Sequence, residues 1–241
     1  MTEAGFDARA ARYEELRPVD ANWWEVFDAL VRLGELRGER VLEVGCGTGR
    51  LSEALEQRER ARVWAVDASP SMVERAKTLG VNARVARAEA LPFKAGWFDA
   101  VVMRMMIHLA DRPRAFEQAA RVLGPNGRLA IASEDPASFE TVWFTRYFPS
   151  VPGIDRARFP SAEALQAELS AAGLPTLKLE RLTQRREQTR EKALDVLRSK
   201  AFSTFDLIPA EEYSTGLARA EAELPERFEY SFDWLLAVAS R

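Results

Sequence analysis

The sequence predicts an α/β fold built on a mostly parallel sheet, and three observations carry that reading. Short apolar runs alternate with amphipathic stretches of helical period through the first half of the chain. The first run ends in a glycine turn that opens a helix, Gly45-Cys46-Gly47-Thr48-Gly49. The second ends on an acid, Asp67. Strands joined by helices pair in parallel, and right-handed crossovers place helices on both sheet faces.

In chain order, residues 20–33 form an amphipathic helix, with Trp23, Trp24, Phe27, Leu30 and Val31 at helical spacing. Asp20 is its N-cap and Gly34 its stop. Val41–Val44 is the first strand and Arg50–Gln57 the helix after the glycine turn. Val63–Val66 is the second strand, followed by a helix over Pro70–Leu79 with Pro70 in its first turn. Asn82–Ala86 and Ala100–Met103 are the third and fourth strands. A helix over Pro113–Leu123 closes in the turn Gly124-Pro125-Asn126-Gly127, and Arg128–Ala132 is the fifth strand. Ser161 caps a helix that runs to Ala172 and stops at Gly173. Leu177–Leu182 is a further strand. Residues 187–223 are mostly helical, interrupted around Pro209. Phe228, Tyr230, Phe232 and Trp234 then alternate as a strand does. The helical block, about 183–225, thus lies between two strands and reads as a lid inserted into the main sheet.

Composition narrows the function classes. The chain has 241 residues and a formal charge of -3, which fits one domain and leaves no overall basic footprint for nucleic acid. The pair Arg185–Arg186 belongs to a solvated face. One cysteine, Cys46, cannot close an internal disulfide, and with one histidine, His108, it cannot build a zinc cluster, so no metal is expected. The opening MTEAGFDARAARYEE has no apolar signal core, and no run approaches the ~18 apolar residues of a membrane span. A cytoplasmic protein is expected, with a small-molecule substrate, no nucleic acid and no membrane.

A strand, a glycine turn and a helix N-terminus form a nucleotide-type pocket at the C-terminal end of the sheet. In dinucleotide sites the third glycine follows the second by three positions; here it follows by two. Glu43 stands two residues before the first glycine, where a carboxylate repels a pyrophosphate and favours a cationic ligand. Asp67 lies 22 positions after Gly45, close to the roughly 20-residue spacing of a ribose-binding acid. Its carboxylate can accept hydrogen bonds from both ribose hydroxyls, or it can cap the helix that starts near Pro70.

These residues, with YEELRP (13–18), VLEVGCGTGR (41–50), VDASPSMVERA (66–76), AEALPF (88–93), WFDAVV (97–102) and RVLGPNGRL (121–129), resemble the class I methyltransferases that use S-adenosylmethionine (SAM). The similarity is to the small-molecule enzymes of the ubiquinone/menaquinone type and covers roughly residues 5–135. It implies a Rossmann-like, seven-stranded, mostly parallel sheet with its last strand antiparallel, to which the aromatic run at 228–234 is assigned. It also implies an N-terminal helical cap over about residues 1–35, SAM as methyl donor and S-adenosylhomocysteine as product. On this likeness Gly45 and Gly47, with Cys46 between them, line the methionine part, and Glu43 orients it. Asp67 and Ala68 hold the ribose. Met72 packs on the adenine, and Ala88, Glu89 and Ala90 meet its edge. Arg104 wraps the methionine end, while Tyr13 and Arg17 close over the cofactor, Arg17 pairing with its carboxylate. Two positions depart from the pattern. Arg87 stands where many relatives carry an Asp that contacts the adenine amino group, and Gln118 where a Glu is common.

Methyl transfer from a sulfonium needs positioning of the acceptor in a dry site more than it needs acid–base help. His108, just past the fourth strand, is the candidate base if the acceptor must lose a proton, or else a structural hydrogen-bonding group. Trp143, Phe144, Tyr147 and Phe148 share one helical face and suit either core packing or an aromatic wall for an apolar acceptor; Lys200, Phe202, Phe205 and Tyr213 would complete a lid. Two other readings stay open: a SAM-binding regulatory or partner protein without turnover, and a nucleotide-dependent oxidoreductase.

Overall fold

The computed structural model describes residue 15 and residues 18–241. Among the described residues one sheet has seven strands: β1 (Arg40–Val44), β2 (Arg62–Asp67), β3 (Ala83–Val85), β4 (Phe98–Arg104), β5 (Leu123–Glu134), β6 (Thr176–Thr189) and β7 (Arg227–Ser240). Their order is β3-β2-β1-β4-β5-β7-β6. β1 pairs in parallel with both β2 and β4, so the chain order reverses across β1 and opens a crevice at its C-terminal end. β7 runs antiparallel between β5 and β6. The Rossmann-like reading and the single reversed strand are therefore both present.

The pleat divides the core into two layers. Leu42, Val44, Val101, Met103, Leu129 and Ile131 face α4 (Arg112–Val122) and α6 (Ala162–Ala171), burying Phe116, Leu165 and Leu169. Val41, Val63, Ala100, Val102, Ala130 and Ala132 face α1 (Ala21–Gly34) and α2 (Arg50–Glu59). The Asp20 carboxylate accepts the Trp23 N–H at 2.9 Å and starts α1 as expected. α1 ends one residue later than expected: Glu35, not Gly34, takes the left-handed conformation. Gly34 is needed for another reason, since a Cβ there would stand 3.1 Å from the Ala130 Cβ, where helix and sheet approach. α3 (Pro70–Thr78) carries Pro70 in its first turn, and Ser69 accepts the Met72 N–H as its cap. Ser161 caps α6 in the same manner.

Two stretches differ from the sequence reading. The glycine turn at 124–127 lies inside β5: Phe98 pairs with Leu123 and Ala100 with Arg128, so the turn bulges out of a continuing strand. The aromatic run at 228–234 lies in the last, antiparallel strand, β7, as expected, but only its end, Trp234, reaches β5. β5 pairs with Trp234–Ser240, a near-continuous apolar run covered on both faces. Residues 227–233 pair only with 183–189 of β6, forming a two-stranded ribbon beyond the C-terminal edge of the sheet.

That ribbon carries a helical insert, of which Leu207 lines the crevice. It consists of α7 (Arg190–Arg198), a 3-10 turn (Ser203–Asp206) and α8 (Ala210–Glu223), begun by Pro209. Its apolar side buries Leu194, Leu197, Phe205 and Ile208 against Phe144, Tyr147 and Phe148. The short α5 (Val151–Arg156) follows those aromatics. Residues 143–148 form successive turns rather than a helix, yet Phe144, Tyr147 and Phe148 still gather on one side. Lys200 stacks its ammonium on Tyr213 at 4.3 Å, and Phe202 stacks on Phe144. These aromatics form the insert's own core, the packing arrangement that was one of the two readings left open.

Candidate cofactor cleft

A cleft of about 230 Å³ opens at the end of β1 and β2, under the ribbon-borne insert. Its floor is the glycine turn. Gly45 has φ +74° and a Cβ there would come within 2.7 Å of the Met106 Cβ, so only glycine lets the turn after β4 close down on β1. Gly47 has φ +53°, lines the cleft, and would place a Cβ within 4 Å of no protein atom. The space such a side chain would take is cleft space, which suits close approach of a ligand to the backbone.

Asp67 fixes the turn. One carboxylate oxygen accepts the Gly47 N–H at 2.8 Å and the other accepts the Ser69 N–H at 2.9 Å. The cap of α3 is Ser69, so Asp67 is not the N-cap that the alternative reading allowed. It holds two cleft-lining segments together and itself lines the cleft, with Ala68 beside it. A carboxylate oxygen can accept more than one hydrogen bond, which is the chemistry a ribose hydroxyl would use.

Glu43 is placed differently from a carboxylate that greets a cation. It is 3% exposed, lies on the α1/α2 face of β1, and accepts the Ser52 hydroxyl hydrogen bond from α2. Burial, opposed by that hydrogen bond and by the nearby Arg104 charge, pushes its pKa up to about 8, so it is largely protonated at neutral pH. It does not line the cleft; its effect on a bound cation would act from behind the turn. Arg104 does line the cleft. Its guanidinium lies over the Trp23 ring at 4.7 Å and the Trp234 ring at 5.6 Å. Cys46 turns its thiol away, into packing with Ala65, Val73 and Ala76, where burial raises the thiol pKa far beyond the reactive range.

The far wall comes from Ala86, Arg87, Ala88 and Glu89, with Met72 at 2% exposure beneath it. Ala90 is outside the lining. Arg87 reaches Glu89 at 3.4 Å, and Glu89 also accepts the Asp111 N–H at 2.9 Å at the start of α4. Glu89 is therefore held in place by two partners, and Arg87 lines the cleft at the position noted as a departure from the family pattern. Gln118 accepts N–H bonds from Leu91 and Arg121, which makes it a brace for that wall.

The other end holds Met105, Met106, His108, Leu109, Ala110, Arg158 and Leu207. His108 sits in a 3-10 turn and stacks on Phe159 at 4.2 Å, nearly parallel. Arg158 and Leu207 had no sequence signal. Arg158 lies in an irregular segment, pairs with buried Asp155 at 3.3 Å, and donates to Ser203 and Thr204 of the insert. Its backbone carbonyl accepts Arg112, which also grips Glu168 in a two-point pair. An i, i+3 acid–base pair is common on surfaces, and only burial distinguishes this one. Tyr13 and Arg17 lie outside the described residues. Among the described residues no group of three metal-ligating side chains converges.

A Rossmann-like sheet with an acid-clamped glycine turn at its switch point defines a nucleoside-binding protein. The chain belongs to the methyltransferase domain family, whose pattern matches residues 42–131. It is 32% identical over 162 residues to the demethylmenaquinone methyltransferase of Thermus thermophilus, covering 56% of this chain and 74% of that protein. It is 34% identical over 183 residues to a malonyl-[acyl-carrier protein] O-methyltransferase of Hahella chejuensis, covering 70% and 62%. An O-methyltransferase of Aspergillus sclerotiorum is 34% identical over 110 residues, 42% of each chain. The chain thus spans about half the length of several curated relatives it matches. Among solved structures, the YcgJ protein of Bacillus subtilis superimposes with a TM-score of 0.64 at 19% identity, over 90% of this chain and 98% of that one. A geranyl diphosphate C-methyltransferase of Streptomyces coelicolor gives 0.58 at 16% identity, over 90% and 78%. At such identity these two likenesses concern the fold.

Proposed function

We propose that the protein takes a methyl group from SAM and places it on a small molecule. The observation that carries this reading is the Asp67 clamp: one carboxylate tied to the Gly47 and Ser69 amides, at the bottom of a cleft whose floor is glycine backbone. The residues fit SAM. Asp67 and Ala68 offer the ribose site. Met72 and the backbone of 86–89 offer an adenine slot, with Arg87 at its rim. Gly45, Gly47 and Arg104 offer the methionine end. Tyr13 and Arg17 are read from the likeness alone as the closing segment.

Bound SAM supplies a methyl group on a sulfonium, an already activated leaving group. What the chain adds is alignment and exclusion of water. Met105, Met106, Leu109 and Leu207 give the acceptor end an apolar lining, so the acceptor we favour is a small, largely apolar or aromatic molecule with one polar atom to be methylated. His108 lines that end and, as a base, takes the acceptor's proton at an imidazole nitrogen while Phe159 holds the ring. The chain is read as one domain, with an N-terminal cap (about 1–35) and a lid (about 183–225), working in the cytoplasm. No helix among the described residues is long and apolar enough to cross a membrane.

A radiolabelled-methyl screen against pooled phenols, acids, amines and quinols tests turnover. Transfer that disappears in Asp67→Ala supports the reading; SAM binding without transfer to any pool favours a non-catalytic partner. For an acceptor found this way, we expect His108→Ala to leave S-adenosylhomocysteine affinity within about twofold and to lower kcat by roughly 10²-fold or more. Unchanged kcat removes His108 as a base.

A further inference from the structure

We propose that Arg158, anchored by buried Asp155, is a positioning residue for the acceptor end of the cleft: it fixes at once the Phe159 ring on which His108 stacks and the insert turn that brings Leu207 to the cleft. This rests on reading that end of the cleft as the acceptor's. Asp155 lies in α5, and its carbonyl accepts the N–H groups of Arg158 at 2.9 Å and Phe159 at 2.8 Å. The Arg158 carbonyl accepts Arg112 Nη1 at 2.8 Å, and Glu168 of α6 grips the same Arg112 at two points. The main chain of this short segment is therefore set by α4, α5 and α6.

The side chain reaches into the insert. Arg158 Nη1 donates to the Asp155 carboxylate at 3.3 Å and to the Thr204 hydroxyl at 3.1 Å, and Nη2 donates to the Ser203 hydroxyl at 2.7 Å. The Thr204 hydroxyl donates in turn to the same Asp155 oxygen at 2.7 Å. Arg158, Asp155 and Thr204 thus close a ring of hydrogen bonds, with both Asp155 and Thr204 buried. A satisfied buried polar network holds one geometry, and losing a member strands a buried charge. From this ring, structure is passed on in two directions. The Thr204 carbonyl accepts the Leu207 N–H at 2.9 Å, so the seat of Thr204 sets where Leu207 meets the cleft. The Arg158 guanidinium carbon stands 6.0 Å from the centroid of the Phe159 ring, and His108 stacks on that ring at 4.2 Å. A planar guanidinium can serve several acceptors through its edge and a ring through its face at the same time, which a lysine ammonium cannot.

The chain has one histidine, so the whole, tag-free protein carrying isotope-labelled histidine gives a single imidazole signal by NMR. Its position reads the stack, because a ring lying nearly parallel over the imidazole shifts the signal upfield, and Phe159→Leu marks the unstacked position. Hydrogen exchange over residues 203–209 reads the insert turn, with residues 98–104 of β4 as the internal reference. Arg158→Lys keeps the charge beside Asp155 and loses the fork. In this variant we expect the His108 signal to move at least about half-way to the Phe159→Leu position, and exchange at 203–209 to quicken roughly tenfold against the reference. Thr204→Val removes only the bridging hydroxyl; it should move both readouts in the same direction, and it is the second variant should Arg158→Lys fold poorly. A His108 signal unmoved in both variants overturns the proposal even where the melting temperature falls, because the network then only staples the insert. A moved signal with unchanged exchange at 203–209 overturns it as well. Neither readout uses a ligand. Wild type that fails to bind S-adenosylhomocysteine in a parallel titration sinks the SAM reading instead, so the two failures are separable.

Discussion

Each oxygen of Asp67 already accepts a backbone N–H, from Gly47 and from Ser69. Replacing it by alanine therefore strips loop fixation together with the proposed contact with the ribose. We expect Asp67→Ala to weaken S-adenosylhomocysteine binding by about 1–3 kcal/mol, measured by calorimetry. Unchanged affinity would reduce Asp67 to a brace for the turn. Glu43 shows the opposite case, an acid that the sequence suggested was turned to the ligand and that the fold buries. Its pKa rises from 4.5 to about 8 because burial disfavours the carboxylate. The folded state thus holds a proton that the unfolded state releases at lower pH, so stability falls as pH rises from about 4.5 through about 8 and levels off above that. Glu43→Gln removes this slope. Urea unfolding of the ligand-free protein should show the variant gaining on wild type between pH 5 and 8, by an amount on the order of a few kcal/mol. Parallel stability curves for the two proteins would contradict the buried, protonated state.

Among the elements, the insert depends on one close approach. α8 passes Phe148 at Gly216, where a Cβ would stand 2.5 Å from both the Phe148 ring and the Tyr147 carbonyl oxygen. Gly216→Ala should therefore push α8 off its seat and destabilise the protein by about 1–3 kcal/mol despite alanine's better helix propensity. A melting temperature equal to or above that of wild type would show that the aromatic core yields freely. The insert also explains which elements were legible. The first four strands are set off by glycine or proline punctuation and fall within a few residues of their expected spans, whereas β5 starts five residues early, ahead of the turn that was expected to precede it. β6 runs to Thr189 through polar residues because it is an edge strand whose second half pairs only in the ribbon. Period-2 alternation is absent from Trp234–Ser240 because both faces are covered, so the aromatic half drew attention away from the half that completes the sheet.

For the whole molecule, the cofactor end was readable because its chemistry is local: turn, acid and register lie within 50 consecutive residues, 40–89. The acceptor end draws on Met106, His108, Arg158 and Leu207, brought together by the insert's return over the sheet, and no spacing rule links them. Fold alone does not name the acceptor, since one fold hosts many chemistries. It does name a donor chemistry that can be distinguished from the dinucleotide alternative. The shorter glycine spacing at 45–49 argues against a pyrophosphate ligand. The most direct measurement is calorimetry of the purified protein with S-adenosylhomocysteine and with NAD, side by side. We expect saturable 1:1 binding of S-adenosylhomocysteine and no measurable heat with NAD. Tight NAD binding without S-adenosylhomocysteine binding would contradict the assignment.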